Sequence, residues 1–135
     1  MDSVKILVID DEARMRKLVK DFLAAKGFIV LEAENGEEGI EIFTSDKNIK
    51  LILLDVMMPK IDGFELCAIL KKNLQTCFIP VILLTAKSQI ESQIEGIELG
   101  ADAYLTKPFD VKLLKTNVRN LLNKSKQRAP IENIR

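Results

Sequence analysis

The sequence predicts an α/β fold: a three-layer sandwich in which a five-stranded parallel sheet lies between two layers of helices. Two observations carry this expectation. Short apolar runs, Ile6-Leu7-Val8-Ile9, Leu51-Ile52-Leu53-Leu54, Val81-Ile82-Leu83-Leu84 and Ala103-Tyr104-Leu105-Thr106, alternate with stretches of helical periodicity. Runs of this length bounded by breakers are typical of parallel strands buried on both faces. The second observation is length. The 135 residues accommodate five βα units with right-handed crossovers, whereas a closed eight-fold barrel needs about twice as many.

Each element has its own local signal. After the first strand, Met15, Leu18, Val19, Phe22 and Leu23 recur at helical spacing, and Gly27 closes that helix as a left-handed cap. Phe28 to Ala33 reads as the second strand, and Asn35 as the N-cap of a helix carrying Ile40 and Phe43. The third strand ends at Asp55. A loop through Met58-Pro59-Lys60-Ile61 leads to Asp62, the expected N-cap of a helix bearing Phe64, Cys67 and Ala68. Pro80 permits a fourth strand to start but no helix to continue. Ser88 opens a fourth helix with Ile90, Ile94 and Ile97 on one stripe, and Gly100 ends it. The fifth strand runs into Lys107-Pro108. Asp110 caps a fifth helix whose core stripe is Val111, Leu114, Val118 and Leu121. Residues 1–123 are thus expected to form one domain. Residues 124–135 lose the apolar pattern, contain Pro130, and read as a tail or linker remnant.

Composition narrows the function classes. Lys+Arg and Asp+Glu balance at 20 each, so no global field favours nucleic acid or membrane. Residues 1–66 carry 9 basic and 14 acidic side chains and residues 67–135 carry 11 and 6, an excess concentrated in the last helix and tail. That excess reads as a solvated face or linker, with no direct nucleic-acid binding by this domain. Cys67 and Cys77 lack C-x-x-C or metal-ligand spacing: Cys67 reads as a small hydrophobe on a helix and Cys77 as a loop or strand-edge residue. Free cysteines, no secretory signal and no apolar stretch near the ~20 residues that span a bilayer point to a cytoplasmic protein without membrane contact. The chain has no histidine. His-based triads and His-ligated zinc are therefore excluded, and any metal must be a hard cation held by oxygen.

The functional signal lies where the strands end. In a parallel sheet all carboxyl ends share one edge, and ligands bind there at a topological switch point. Asp10-Asp11, Asp55, Thr85 and Lys107 stand at four such ends, so three carboxylates, a hydroxyl and an amine should converge. Alone, Asp10-Asp11 reads as the N-cap and first-turn acid of the next helix, Lys107 as an ion-pair partner and Thr85 as a strand-end hydroxyl. Asp55 resists such a reading, because a carboxylate buried at a central strand beside two others is costly unless protonated or neutralised. Pro108 suggests a rigid turn, of the kind a cis proline makes, that aims Lys107. Together the acids suit Mg2+, which takes oxygen ligands from one or two carboxylates plus phosphate. A carboxylate beside the metal can attack phosphorus and form an acyl phosphate, while the metal and Lys107 neutralise charge and Thr85 donates a hydrogen bond.

Val8-Ile9-Asp10-Asp11-Glu12, Leu54-Asp55-Val56-Met57-Met58-Pro59 with Asp62-Gly63, Leu84-Thr85-Ala86, and Gly100-Ala101-Asp102-Ala103-Tyr104 with Lys107-Pro108-Phe109 resemble the receiver domain of two-component response regulators. The resemblance spans roughly residues 4 to 123, with every motif in order. It implies the CheY-like, flavodoxin-like doubly wound sheet of strand order 2-1-3-4-5. It also implies Asp55 as phosphoacceptor, Asp11 and Asp55 as direct Mg2+ ligands, Asp10 acting partly through water, and the Met57 backbone carbonyl as a further ligand. Lys107 would pair with the phosphoryl group, Thr85 would be the switch hydroxyl, and Tyr104 the aromatic whose rotamer follows it. The donor implied is a phosphohistidine on a sensor histidine kinase. The output surface implied is the face of the fourth helix, fifth strand and fifth helix, around Ile90, Tyr104 and Phe109, with a homodimer through that face on phosphorylation. Met57 and Lys87 would flank the water that hydrolyses the phosphoryl group, and an apolar Met57 predicts slow decay. The chain is expected to be a signalling phosphoacceptor, not an enzyme acting on other substrates.

Three alternatives fit less well. A haloacid-dehalogenase-type phosphatase wants Asp-x-Asp after the first strand, where this chain has Asp10-Asp11-Glu12, and needs a cap domain to choose a substrate. A pseudo-receiver usually lacks an acid or the lysine, and all are present here. A flavodoxin-like nucleotide module needs a glycine- or hydroxyl-rich first loop, and Asp-Asp-Glu repels phosphate without metal. The output is not legible: a stand-alone relay, a transcription factor and a hybrid kinase all fit. In the winged-helix branch an acidic residue often stands where Ala103 is, and its absence weakens that assignment.

Overall fold

The computed structural model describes residues 3–86, 94 and 98–128, the last four in their backbone only. In chain order the elements are β1 (Lys5–Ile9), α1 (Ala13–Ala25), β2 (Ile29–Ala33), α2 (Gly36–Ser45), β3 (Ile49–Asp55), α3 (Gly63–Lys72), β4 (Val81–Ala86), β5 (Ala103–Lys107) and a C-terminal helix (Val111–Arg128). The five strands are all parallel and ordered β2-β1-β3-β4-β5. This is the doubly wound arrangement, with its switch point beside β1. The register places Asp55 opposite Leu84 and Thr85 opposite Thr106, so the polar strand ends lie along one edge.

The apolar runs are buried on both faces, as strands between two helical layers must be. One face joins Leu7, Ile9, Ile52, Leu54 and Leu83 to Phe43 of α2 and Leu66, Cys67 and Leu70 of α3. The other joins Ile6, Val8, Leu51, Leu53, Ile82 and Leu84 to Val19 and Leu23 of α1 and to Leu114, Val118 and Leu121. Alternate residues of one strand thus serve opposite cores. Burying a Leu, Ile or Val contributes about 1.5–3 kcal/mol each, so these two clusters hold the sheet between its helical layers.

Several local expectations hold. Asn35 Oδ1 accepts from Glu38 N and Asp62 Oδ1 from Glu65 N, each at 2.9 Å. Gly27 and Gly100 both adopt φ of 95°. The structure differs in four places. Phe28 is spent on closing α1, its N–H donating to Leu23 O while Gly27 N donates to Ala24 O, so β2 starts one residue later at Ile29. The N-cap of α1 is Glu12, without a side-chain cap bond, and not Asp10 or Asp11. The backbone of the C-terminal helix continues to Arg128, past position 123. Most of the fourth helix expected from Ser88, with Lys87, Ile90 and Ile97, lies outside the described residues. Ile94 and Glu98 are helical, but Ile94 is 54% exposed and so is no part of a buried stripe.

Candidate functional site

β1 and β3 each deliver a carboxylate at the carboxyl edge of the sheet. Asp10 is fully buried, and all of its polar groups are engaged. Its N–H donates to Ala33 O at 3.1 Å, its Oδ1 accepts from Glu12 N at 2.9 Å, and its Oδ2 accepts from Lys107 Nζ at 2.8 Å. Its backbone carbonyl accepts from Arg16 Nη1 at 2.6 Å. Asp55 is 4% exposed; its Oδ1 accepts from Met57 N at 3.2 Å and lies 3.5 Å from Lys107 Nζ. Asp11 is exposed. One carboxylate oxygen each from Asp10, Asp11 and Asp55 lie within 4.8 Å of one another. The stretches ending at Asp10-Asp11, Asp55 and Lys107 therefore meet, and Thr85 stands at the end of β4, the strand paired with β3.

The electrostatics are those of a site with too much negative charge. Burial pushes the Asp55 carboxyl up to about 7, the neighbouring Asp10 charge and then that of Asp11 add to it, and Lys107 and the Met57 N–H only partly offset the rise. Lys107 is held above its ordinary value: burial alone would lower it, but the hydrogen bond to Asp10 and the charges of Asp55, Asp10 and Glu12 outweigh that. A divalent cation among these oxygens would relieve the repulsion. Three carboxylates, hard donors with no nitrogen or sulfur among them, fit Mg2+ or Mn2+ and not zinc or copper.

Thr85 Oγ1 is buried and has no hydrogen-bond partner among the described residues. An unsatisfied buried hydroxyl costs about 1–3 kcal/mol, and its place at the end of β4, beside the end of β3, suits a donor to a group attached at Asp55. Met57 turns its side chain outward and is 62% exposed. With Val56, Met58, Asp62 and Phe64 it lines an open groove of about 400 Å3 beside the acids. Tyr104 is half-buried against the core face that holds Cys67, and burial, then the Cys67 charge, pushes its hydroxyl up to about 12. Phe109 packs on the opposite core. The Lys107–Pro108 peptide is cis.

Sequence reasoning missed three contributors. Arg16 reads as an exposed helix residue but is drawn onto Asp10. Gly63 has no Cβ because one would collide with the carbonyl oxygen of Asp55, so α3 starts against the backbone of the acid itself. Lys71 donates to Asp102 Oδ2 at 2.9 Å and to Ile79 O at 2.8 Å, while Asp102 Oδ2 also accepts from Val81 N at 2.8 Å. This ties α3 to the starts of β4 and β5, at the opposite edge from the acids. The Asp62-Gly63 pair was the one available signal, since an N-cap followed by glycine marks a helix start in a tight place; neither Arg16 nor Lys71 stands out by spacing.

Known proteins match this geometry. A family profile described as the response regulator receiver domain matches residues 6–119. The chain is 43% identical over 124 residues to the probable transcriptional regulator ycf27 of Porphyridium aerugineum, covering 92% of this chain and 50% of that protein. It is 40% identical over 126 residues to the transcriptional regulatory protein ResD of Bacillus subtilis, covering 93% and 51%. The chain thus spans about half the length of these curated relatives. A crystal structure of a response regulator receiver domain protein from Clostridium thermocellum superposes with a TM-score of 0.86 at 34% identity, covering 92% of this chain and 98% of that one.

Proposed function

The chain belongs to the response regulator receiver family of two-component signalling, and on that footing we propose that Asp55 is its phosphoacceptor. The observation that carries the assignment is the meeting of a buried Asp55 with Asp10, Asp11 and Lys107 at one sheet edge. An Asp55 carboxylate oxygen attacks phosphorus; the new O–P bond forms as the bond from phosphorus to the donor breaks, and the donor leaves with the electron pair. These 135 residues contain no histidine, so a phosphohistidine donor lies outside them, in keeping with a sensor histidine kinase in that role. Asp11 and Asp55 would hold Mg2+ directly, Asp10 would act partly through water, and the Met57 carbonyl would complete the protein's ligands, in keeping with a side chain that points away. Mg2+, when bound, supplies charge neutralisation at the phosphoryl oxygens and lets Asp55 stay ionised. Lys107 approaches the same oxygens from the other side and keeps its proton. Thr85 donates to the attached group, satisfying its hydroxyl.

Phosphorylation adds about 1.5 to 2 negative charges. Movement of Thr85 toward them opens space for Tyr104, which sits between exposed and buried, and this carries the change to the surface around β5 and the helices beside it. Homodimer formation through that face is the proposed consequence. The names of the relatives support a transcriptional output. Residues 1–123 would act as the receiver and residues 124–135 as a connecting tail. Among the described residues no helix is long and apolar enough to cross a membrane; a cytoplasmic setting accords with the free Cys67 and Cys77.

Incubation with acetyl phosphate and Mg2+, read by intact mass, tests the site. Phosphoryl mass gain is expected with Mg2+ or Mn2+ only, and is lost in Asp55→Asn. Full gain under EDTA or in Asp55→Asn would overturn the assignment.

A further inference from the structure

Asp11 is the exposed member of the acid trio, and its carboxylate has no hydrogen-bond or ion-pair partner among the described residues. Its placement therefore depends on the backbone that carries it. That backbone is fixed by the peptide joining Asp10 to Asp11, whose carbonyl accepts from Arg16 Nη1 at 2.6 Å. Arg16 is itself held from the other side. Its Nε donates to Glu32 Oε1 at 3.3 Å, and Glu32 Oε2 lies 3.2 Å from Lys20 Nζ. Glu32 stands on β2 opposite Val8 of β1, so the strut is anchored on the neighbouring strand. The Arg16 side chain is only 15% exposed.

A guanidinium bonded to the Asp10 carbonyl is a candidate to pair with a carboxylate of the acids as well. Among the described residues Arg16 instead ion-pairs with Glu32 alone, and Lys107 takes the Asp10 carboxylate. Two consequences follow from the planar fork of donors. One edge fixes the direction of the Asp10–Asp11 peptide. The other edge is neutralised by Glu32, which keeps the charge of Arg16 from competing with a cation for the acids.

We propose that Arg16, braced by Glu32, is a positioning residue that sets Asp11 for metal binding. The inference rests on reading the acids as the Mg2+ site. Groups that orient metal ligands without touching the metal typically change affinity by about 10–100-fold when removed.

The test measures metal binding directly, with Mn2+ followed by the paramagnetic signal of the free ion and Mg2+ followed by amide resonances. The variants are Arg16→Ala, Arg16→Lys and Glu32→Gln in the full chain, with denaturant unfolding as a check on folding. Arg16→Ala should weaken both metals about tenfold, Arg16→Lys should fall between it and wild type, and Glu32→Gln should weaken them several-fold. With acetyl phosphate as donor, the half-saturating Mg2+ should rise in parallel while the rate at saturating Mg2+ returns close to wild type. A folded Arg16 variant with wild-type metal affinity overturns the proposal, as does a rate loss that saturating Mg2+ does not restore. If both Arg16 variants unfold, Glu32→Gln decides alone, since a partly exposed carboxylate tolerates the change. A wild-type chain that binds neither metal would instead defeat the reading of the acids as a metal site.

Discussion

Replacing Asp55 with Asn should make the metal-free protein more stable above neutral pH, and the size of the effect follows from the burial of the acid. In the unfolded chain the Asp55 carboxyl titrates at its ordinary 3.8; in the fold, burial and the Asp10 charge push it up to about 7. Between those values the native state holds a proton that the unfolded state has released. Stability from this group is therefore fully present below about pH 4, is lost as pH rises toward 7, and stays constant above. A displacement of roughly three pH units at about 1.4 kcal/mol each sets a ceiling near 4 kcal/mol. Asn cannot ionise and escapes the loss. The attraction to Lys107 across 3.5 Å is already contained in that displacement, so the gain for Asn is at most about 4 kcal/mol. Urea unfolding by far-ultraviolet circular dichroism in EDTA, from pH 4 to 8, measures the difference between the two proteins. The curves should nearly coincide at the acid end and separate by pH 8, with Asp55→Asn higher. Saturating Mg2+ at pH 8 should restore the wild type by RT ln(1 + [Mg2+]/Kd), about 2.7 kcal/mol at a hundredfold excess over Kd. It should do little for the variant, which lacks a ligand. A difference that does not change with pH, or a variant less stable at pH 8, would refute the reasoning.

Met57→Asn should shorten the phosphoryl lifetime, because an amide can orient water that the exposed thioether only obstructs; a phosphoprotein that decays no faster than wild type counts against this. Asp102→Ala should destabilise the fold by about 2–4 kcal/mol, since it leaves the Lys71 ammonium and the Val81 N–H short of a partner in a mostly buried place. The metal affinity of that variant should not change, because the acids lie at the opposite edge; urea midpoints and Mn2+ titration check the two halves. Beryllofluoride with Mg2+ should shift the amide resonances of Thr85, Tyr104 and Phe109, and shifts confined to Asp10, Asp11 and Asp55 would show that the proposed path to Tyr104 is wrong.

The layers and the polar strand ends were legible because each rests on a strong, short-range signal, whereas the strand order came from the family resemblance. Four or five apolar residues that end in a charge leave little choice but a buried strand with its last side chain at the edge, and Asp55 and Lys107 were placed that way. Caps at Asn35 and Asp62 were legible because an Asx side chain before a helix has one favourable use. Asp10 and Asp11 were not legible by the same rule. Their positions suit a cap, but Asp10 is turned inward to Lys107, and its Oδ1 serves Glu12 N before the helix begins. Ile94 misled for a related reason: apolar periodicity says which residues share a face, not whether another layer covers it. Arg16 and Lys71 were invisible because long cationic side chains reach several ångströms from their backbone, so their partners are set by tertiary proximity.

The costs concentrated at this edge of the sheet have a common explanation. Two buried carboxylates share one lysine, the Asp55 carboxyl is displaced toward neutrality, and a buried hydroxyl lacks a partner among the described residues. A sequence selected only for stability would place an amide at 55 and an apolar residue at 85, and each change would remove a penalty. On the proposed reading, the same groups would become complementary once a divalent cation and a phosphoryl group occupy the pocket: the cation would satisfy the acids, and the phosphoryl oxygens would satisfy Thr85 and Lys107. Unfavourable terms in the free protein are thereby converted into differential affinity for the liganded state. A difference of a few kcal/mol is enough to move a two-state population. On the proposed switch, the strain of this edge would be the means by which a local charge change is felt at Tyr104, whereas the Lys71–Asp102 edge holds no comparable reserve.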